Sequence, residues 1–266
     1  MKRVFLTGAS SGIGLATARA LVGAGHEIWG TSRNPERVPK LERLHPVRLD
    51  LRNSSEVEPT FASALLEAGH FDVLVNNAGS GHFGAAEKLS AVEIADQFQI
   101  LFFAHVRLMQ LALAAMRGRD GGLIVNVTSL AARLPVPFMA AYNSAKAAMA
   151  AFTMSMQLEL GDSKVRIVDL QPADIRTPFN ESVAKSAALP STEERLAKTW
   201  RTVEANMATA PEPALVARHI LRLIDNDHPP PRITVGDIFQ SKIAPVLIRF
   251  LPQRMQVWGL KKYYGI

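Results

Sequence analysis

The stretch Thr7-Gly8-Ala9-Ser10-Ser11-Gly12-Ile13-Gly14 lies between an apolar run, residues 4–6, and a helix-forming run, residues 15–21. Glycines at a strand-to-helix turn allow the backbone to approach a pyrophosphate, and the helix that follows offers free N–H groups at its positive end. Three glycines would also suit a tight structural turn, but the flanking strand and helix favour phosphate binding. The predicted contacts of a dinucleotide in this turn are Gly8, Ser10, Ser11, Gly12, Ile13 and Gly14.

Short apolar runs recur along the whole chain, with helical patterns between them. Strands that helices bury on both faces have this character, which is typical of parallel sheets. We therefore predict an α/β fold, a single Rossmann-like, doubly wound parallel sheet of seven strands with helices on both faces. The predicted strands are residues 4–6, 28–31, 47–49, 73–75, 123–127, 165–170 and 233–235.

The chain shows helix-start signals but no division into repeats. Ser55-Glu56-Val57-Glu58 and Ser90-Ala91-Val92-Glu93 match the Ser-x-x-Glu capping box. No internal repeat or Gly/Ser linker interrupts the sequence, so residues 1–237 are predicted to form one domain. Within it, residues 180–212 are polar, Ala-rich and difficult to place in the sheet, and we expect a largely helical excursion over the carboxyl edge of the strands.

The composition excludes several classes of protein. The chain has 266 residues, 48% of them hydrophobic and 20% charged, which is typical of a globular protein. It has no cysteine and only scattered histidines, so no metal site is predicted. We expect no signal peptide and a cytoplasmic location, because Gly8 interrupts the first apolar run. Although the net charge is +6, no nucleic-acid-binding motif is present, and no nucleic-acid partner is predicted.

The second predicted strand ends in Gly30-Thr31-Ser32-Arg33-Asn34. Many dinucleotide folds place an acidic residue there, which binds the adenosine ribose diol and repels a 2′-phosphate. Ser32 and Arg33 instead suit a 2′-phosphate, because a guanidinium pairs with phosphate through two hydrogen bonds. We therefore predict NADP(H) in preference to NAD(H), the alternative being that Arg33 is a solvated surface residue.

Ser129, Tyr142 and Lys146 form the predicted catalytic set. Ser129 follows the fifth predicted strand, and Tyr142 and Lys146 are spaced to share one face of a helix. A phenol with a pKa of about 10 is a poor proton donor at neutral pH, whereas a neighbouring ammonium and a nicotinamide cation favour the phenolate. These residues predict hydride transfer between a nicotinamide and a carbonyl or secondary alcohol. Tyr142 would exchange the proton, Ser129 would stabilise the oxyanion, and Lys146 would lower the pKa of Tyr142.

With these motifs in place, the chain resembles a short-chain dehydrogenase/reductase of the family's type of about 250 residues. The resemblance covers nearly the whole length. Besides the glycine stretch and the catalytic set, it rests on Asp50-Leu51 after the third predicted strand and Asn76-Asn77-Ala78-Gly79 after the fourth.

The resemblance assigns further cofactor contacts. It implies that Asp50, with Leu51 beside it, lies at the adenine, and that Tyr142 and Lys146 touch the cofactor, Lys146 through the nicotinamide ribose. The residues that it places along the rest of the cofactor are Asn76, Ala78, Gly79, Ile175 and Thr177.

Two positions depart from the family pattern. Alignment of residues 106–110 places Leu101 where the family has an Asn that orients a water between the Lys and solvent. This departure leaves open an alternative function, an NADP(H)-binding regulatory or impaired protein without ordinary turnover. Ala173 replaces a common Gly after Pro172, and we expect a local adjustment of the turn and retained binding.

Two groups of apolar residues predict a substrate pocket and a subunit interface. Leu134, Val136, Phe138, Met139 and Phe83 are expected to line a pocket for a small hydrophobic carbonyl or alcohol substrate, unless they are ordinary core. The helix over residues 147–160 is apolar nearly all round, more than one buried face requires. Since helices here often form the subunit interface in the family, the resemblance implies a homodimer or homotetramer.

The C-terminal residues 238–266, which we call the tail, contain five cations and no acidic residue, and thus five of the six net positive charges. Apolar and aromatic residues alternate with these cations. We expect a basic amphipathic extension that packs on the same domain. A neighbouring subunit or an anionic bilayer is the alternative contact.

Overall fold

The side chains of the first strand alternate between two hydrophobic cores, one on each face of the sheet. In the computed structural model, which describes residues 1–161, 163–186 and 190–266, β1 (Arg3–Leu6) is buried over Val4, Phe5 and Leu6. Alternate side chains of a strand point to opposite faces. Val4 and Leu6 therefore pack in one core and Phe5 in the other.

The main sheet has seven parallel strands in the order β3-β2-β1-β4-β6-β7-β9, which confirms the predicted fold class. The strand order reverses between β1 and β4, where a doubly wound sheet forms its ligand crevice. The strands after β1 are β2 (Glu27–Ser32), β3 (Leu44–Arg48), β4 (Val73–Asn76), β6 (Gly122–Val127), β7 (Val165–Pro172) and β9 (Arg232–Val235).

Helices cover both faces of the sheet. On one face, α1 (Gly12–Gly23) and α7 (Ala214–Ile224) pack against each other and the sheet. The other face is covered by α2 (Ser54–Ala68), α4 (Ala104–Arg117) and α5 (Ala140–Leu160). The inner strands are consequently buried on both sides, as their apolar runs predict, whereas the edge strands β3 and β9 are only partly buried.

Of the two predicted helix starts, one is confirmed and one is wrong. Ser90 caps α3 (Ala91–Phe98) in a complete capping box with Glu93. The α2 helix begins at Ser54, one residue before the predicted cap Ser55, and its cap is Asn53. Asn53 accepts a hydrogen bond from the Ser55 N–H and donates one to Glu56, so Asn53 and Glu56 take the roles assigned to Ser55 and Glu58.

The helix from Ala91 to Arg117 is continuous through a π-helical turn over Gln99–Phe103. By length and composition alone, it is apolar enough to cross a membrane. Its inner face, including Leu101, Leu108 and Met116, is fully buried in the core under the sheet.

The predicted excursion contributes one strand to a second, small sheet. β5 (His82–Phe83) pairs with β8 (Ala184–Lys185), and the His82 ring lies 2.6 Å from the Ser186 hydroxyl. Residues 187–189 of the excursion lie outside the described part of the chain. Beyond them, α6 (Glu193–Thr209) is helical as expected.

The tail follows β9 as a π-helical turn over Phe239–Ile243 and two helices, α8 (Ala244–Phe250) and α9 (Gln253–Tyr264). Gln240 ties it to the end of β7 through two hydrogen bonds with Asp174. The Tyr263 hydroxyl accepts a hydrogen bond from Asn206 on α6. These contacts lay the tail across the carboxyl edge of the sheet.

Candidate functional site

A cavity of about 870 Å³ lies at the carboxyl ends of the central strands. The turns after β1, β2, β3, β4, β6 and β7 all reach it, together with residues of the excursion and the tail. Ligands of open α/β sheets bind in this position. The cavity is therefore the candidate functional site.

The glycine turn forms one end of the cavity. Gly8 and Gly12 have positive φ angles, +75° and +52°, which other residues rarely adopt. A Cβ on Gly14 would lie 1.9 Å from the Gly8 carbonyl oxygen. The α1 helix starts here with an N-cap, Ser11, that makes no side-chain capping bond. The exposed backbone and free helix N–H groups fit a pyrophosphate. All six predicted residues of this turn line the cavity.

Cations surround the far end of this part of the cavity. Ser32 and Arg33 line it as predicted, and the Ser32 hydroxyl accepts a hydrogen bond from the Asn34 N–H at 3.2 Å. Arg37 and Arg52 also line it. Sequence reasoning missed these two arginines, because they are brought there by the turn over Pro35–Arg37 and by the loop after β3.

Of the cofactor contacts that the resemblance implies in the loops after β3 and β4, all but one line the cavity. Asp50 and Leu51 line the cavity, and so do Ala78 and Gly79. Asn76 does not, because its side chain is buried in the core and donates to the Asn126 side-chain oxygen at 2.9 Å. Its neighbour Asn77 lines the cavity and holds the glycine turn through the Thr7 carbonyl at 2.9 Å. The assignment of Asn76 to the cofactor surface is thus corrected to Asn77.

The turn after β7 meets the glycine turn. Ile175 and Thr177 line the cavity as predicted. A Cβ on Gly12 would lie 3.3 Å from the Thr177 Cβ. Ala173 donates its N–H to the Val235 carbonyl at 2.8 Å and also lines the cavity. The Gly-to-Ala departure therefore leaves the turn in place.

The structure brings Ser129, Tyr142 and Lys146 together in the same cavity. Ser129 is extended at the end of β6, and its hydroxyl accepts the Ala131 N–H at 3.0 Å and bonds with the Tyr142 hydroxyl. Lys146, one turn after Tyr142 on α5, has its Nζ 5.9 Å from the centre of the Tyr142 ring. The buried ammonium donates to the Val127 carbonyl at 2.8 Å.

The electrostatics of this set differ from the sequence-based expectation. Burial lowers the pKa of Lys146 to about 8, against a smaller opposite effect of Asp169. Burial also raises the pKa of Tyr142, while the Ser129 hydrogen bond acts in the opposite direction. The expected lowering of the Tyr142 pKa by Lys146 is therefore not what the chain's own residues produce. Burial destabilises the phenolate more than the Ser129 hydrogen bond stabilises it, so the pKa of Tyr142 rises.

Leu101 lies in the π-helical turn and is fully buried. Its side chain packs on the loop after β4, where a Cβ on Gly79 would come within 3.2 Å of the Leu101 Cδ2. One turn later, the buried His105 ring bonds with the Leu101 backbone and lies 3.5 Å from the Thr7 hydroxyl. Burial and the Lys146 charge lower the pKa of His105 to about 3, so the ring is neutral at physiological pH.

The predicted apolar wall is partly correct. Leu134, Val136 and Met139 line the cavity. Phe83 and Phe138 lie behind them in a cluster with Trp200. Phe138 has a φ of 63°, a left-handed conformation that is strained for a bulky residue. The strain lies immediately before α5, the helix that presents Tyr142.

The tail completes the cavity on the side opposite the glycine turn. The lining residues include half-buried and buried side chains of both helices, among them Ile248, Leu260 and Tyr264, and the exposed Leu247. The sequence indicates an amphipathic tail but contains no signal for which face turns inward.

Comparisons with known proteins agree with this geometry. A family model described as short chain dehydrogenase matches residues 2–188. A 3-ketodihydrosphingosine reductase of Bacteroides thetaiotaomicron is 29% identical, over 99% of this chain and 98% of that protein. A short-chain dehydrogenase structure from Streptomyces avermitilis has a TM-score of 0.84 and 28% identity, with 97% and 96% of the two chains covered. An alcohol dehydrogenase from Thermococcus sibiricus, complexed with 5-hydroxy-NADP, has a TM-score of 0.73 and 26% identity, with 91% and 98% covered.

Proposed function

The chain belongs to the short-chain dehydrogenase/reductase family, and from that premise we propose that it is an NADP(H)-dependent oxidoreductase that interconverts a hydrophobic carbonyl compound and its secondary alcohol. One observation carries this proposal. Ser129, Tyr142 and Lys146 line the same cavity as a glycine turn that only glycines can form. A proton-transfer group and a pyrophosphate cradle thus share one cavity.

A nicotinamide cofactor would supply or accept the hydride when bound. The glycine turn and the α1 N-terminus would hold its pyrophosphate. Arg33, Arg37 and Arg52 would surround the 2′-phosphate, because they line the cavity beside Ser32. Ile175 and Thr177 would hold the other end, beside Tyr142.

Tyr142 donates the proton to the substrate oxygen in reduction and takes it back in oxidation. The raised pKa keeps the phenol protonated in the chain alone, so Tyr142 holds the proton that reduction requires but releases it less readily than a free phenol. Ser129, already hydrogen-bonded to Tyr142, orients that hydroxyl and stabilises the negative charge on the oxygen. Lys146 places a buried positive charge near the ring below pH 8, where it favours the phenolate left after proton transfer.

The substrate is proposed to be a long-chain, amphiphilic ketone or its alcohol. Leu134, Val136 and Met139 on one side and Leu247 and Leu260 on the other give this part of the cavity an apolar lining. The similarity to a protein named 3-ketodihydrosphingosine reductase supports the same class, since it spans nearly the whole of both chains. The name of that relative also favours turnover over the binding-only alternative that Leu101 raises.

The direct test is an assay of the purified chain with 3-ketodihydrosphingosine and with short ketones and aldehydes. We expect NADPH oxidation that is faster with the long-chain ketone. Tight NADPH binding without turnover on any of these carbonyls would contradict the proposed activity and favour the regulatory alternative.

The proposed NADP(H) preference is tested by Arg33→Ala. Loss of one charged contact with the 2′-phosphate should raise the NADPH KM roughly 10-fold and leave the NADH KM unchanged. Arg19→Ala is a matched control, because Arg19 is an exposed cation on α1 that does not line the cavity. Equal KM values for NADPH and NADH in the unmodified chain would contradict the preference.

Self-association is proposed through the outer face of α5. Phe152 and Met156 pack against the core, whereas Met154 and Leu158 are exposed, as is Phe103 after α3. Exposed apolar side chains on neighbouring helices favour a homodimer or homotetramer through this face. Light scattering should give two or four times the chain mass.

A further inference from the structure

The two faces of α9 have different chemistry. Arg254, Val257, Trp258, Lys261 and Lys262 are exposed and follow the spacing i, i+3, i+4, i+7, i+8 of one helix face. The opposite face lines the cavity, and its residues are Met255, Gln256, Gly259, Leu260, Tyr263 and Tyr264. The helix therefore forms a wall of the site on one side and a cationic, apolar surface on the other.

The preceding helix repeats this division. On α8, Ala244, Leu247 and Ile248 line the cavity, whereas Val246, Arg249 and Phe250 are exposed and do not line it. Phe250 is 76% exposed, and Trp258 on α9 is 64% exposed. We call Val246, Arg249, Phe250, Arg254, Val257, Trp258, Lys261 and Lys262 the outer tail face.

Exposed apolar side chains are concentrated in the tail. Among the described residues, ten of the seventeen exposed large hydrophobic side chains belong to residues 238–263. Four of these ten lie on the outer tail face, namely Val246, Phe250, Val257 and Trp258. Patches of this kind mark interaction sites. The cost of leaving them in water indicates that the outer tail face is covered when the protein works.

The charges of this face select the kind of partner. None of the tail's five cations forms an ion pair with any described residue, and the tail has no acidic side chain. A second copy on the same face would bring like charges together across a twofold axis, which is unfavourable. A surface that is anionic outside and apolar beneath complements both the cations and the exposed aromatic rings.

We propose that the outer tail face docks on an anionic phospholipid bilayer. Phe250 and Trp258 enter the interfacial layer, and Arg249, Arg254, Lys261 and Lys262 contact the lipid headgroups. Because the same two helices line the cavity with their inner faces, docking places a wall of the catalytic cavity against the membrane. A membrane-resident ketone, the substrate class of the proposed function, then reaches the site without crossing bulk water.

Docking is tested without substrate, so that its failure is separate from failure of the proposed activity. The full chain is sedimented with vesicles of phosphatidylcholine alone or with one-third phosphatidylserine. We expect at least about 10-fold stronger binding to the anionic vesicles, weakened by added salt. Fluorescence should shift to the blue with these vesicles, and the shift should disappear in Trp258→Phe, which retains the buried Trp29 and the partly buried Trp200.

The triple variant Arg254→Gln, Lys261→Gln and Lys262→Gln should bind anionic vesicles roughly 100-fold more weakly. A control with the same change of charge replaces the exposed Lys88, Arg117 and Arg119 by Gln and should lose less than about 3-fold. Both variants should keep the wild-type Tm and the wild-type turnover of a short, soluble ketone, since none of these residues lines the cavity.

Three results would overturn the proposal. One is equal binding to neutral and anionic vesicles, and another is equal loss of binding in the two triple variants. The third is self-association through this face. It would appear as a mass by light scattering that falls in Phe250→Glu/Trp258→Glu while vesicle binding is absent in the unmodified chain.

Discussion

The two ends of the cavity are built in different ways. At the glycine end, the turns are fixed by backbone geometry and by partly buried hydrogen bonds, such as that from Asn77 to the Thr7 carbonyl. At the tail end, the lining consists of side chains on two helices whose other faces are exposed and cationic. The glycine end can accept one shape of ligand, whereas the tail end can change its side chains without a change of backbone. We therefore expect the glycine end to determine which cofactor binds. The tail end is expected to determine which substrate binds and which surface the protein contacts.

A pair of tyrosines at the two ends gives the largest expected difference. Tyr142→Phe removes the proton donor and should lower kcat roughly 10³-fold with little change in cofactor Kd. Tyr263→Phe, which removes the hydrogen bonds of the hydroxyl with Asn206 and Gln240, should change kcat less than about 2-fold. Steady-state kinetics and a cofactor titration of both variants measure the difference. Similar losses of kcat in the two variants would show that proton transfer does not depend on Tyr142 more than on Tyr263.

A pair of glycines on α1 tests whether the glycine end is as rigid as its contacts indicate. Gly14→Ala forces a Cβ against the Gly8 carbonyl and should cost about 1–3 kcal/mol of unfolding free energy, with cofactor affinity lowered more than about 10-fold. Gly23→Ala places its Cβ in open space in the same helix and should stabilise by up to about 1 kcal/mol. Urea unfolding with a cofactor titration separates the two. Unchanged affinity in Gly14→Ala would refute a rigid cradle.

The buried charge of Lys146 gives the smallest expected effect, a dependence of stability on pH. The folded pKa of about 8 is below the ordinary value of about 10.5, so between these values the unfolded chain binds a proton that the folded chain does not. The free energy of unfolding should therefore rise by roughly 2 kcal/mol from pH 8 to 9.5. Above pH 10, the raised pKa of Tyr142 acts in the opposite direction, because the folded chain then retains a proton that the unfolded chain releases.

Urea unfolding at several pH values measures this rise. Lys146→Met should abolish it. Lys262→Met, which removes an exposed ammonium at the tail end, should retain it. A rise that persists in Lys146→Met would assign the pH dependence to other groups.

The sequence predicts the sheet and the reactive set because both leave local patterns. Seven apolar runs become seven strands, and a four-residue spacing places Tyr142 and Lys146 on one helix face. The sequence does not predict that the Asn76 side chain points into the core, because the direction of a side chain at a strand end depends on the pleat. The raised pKa of Tyr142 leaves no local pattern, because burial is a tertiary property. Arg37, Arg52 and the inward face of the tail depend on long-range packing that no local pattern reports.

The two-stranded ladder between His82–Phe83 and Ala184–Lys185 limits how this protein can be re-engineered. It joins the excursion to the loop that follows Asn77-Ala78-Gly79, more than 100 residues earlier in the chain, and the contact between His82 and Ser186 adds a side-chain bond. The excursion is consequently not a freely exchangeable module. A segment grafted from a relative must present a strand in the same register and a hydroxyl to His82, or the loop beside the cofactor loses its support.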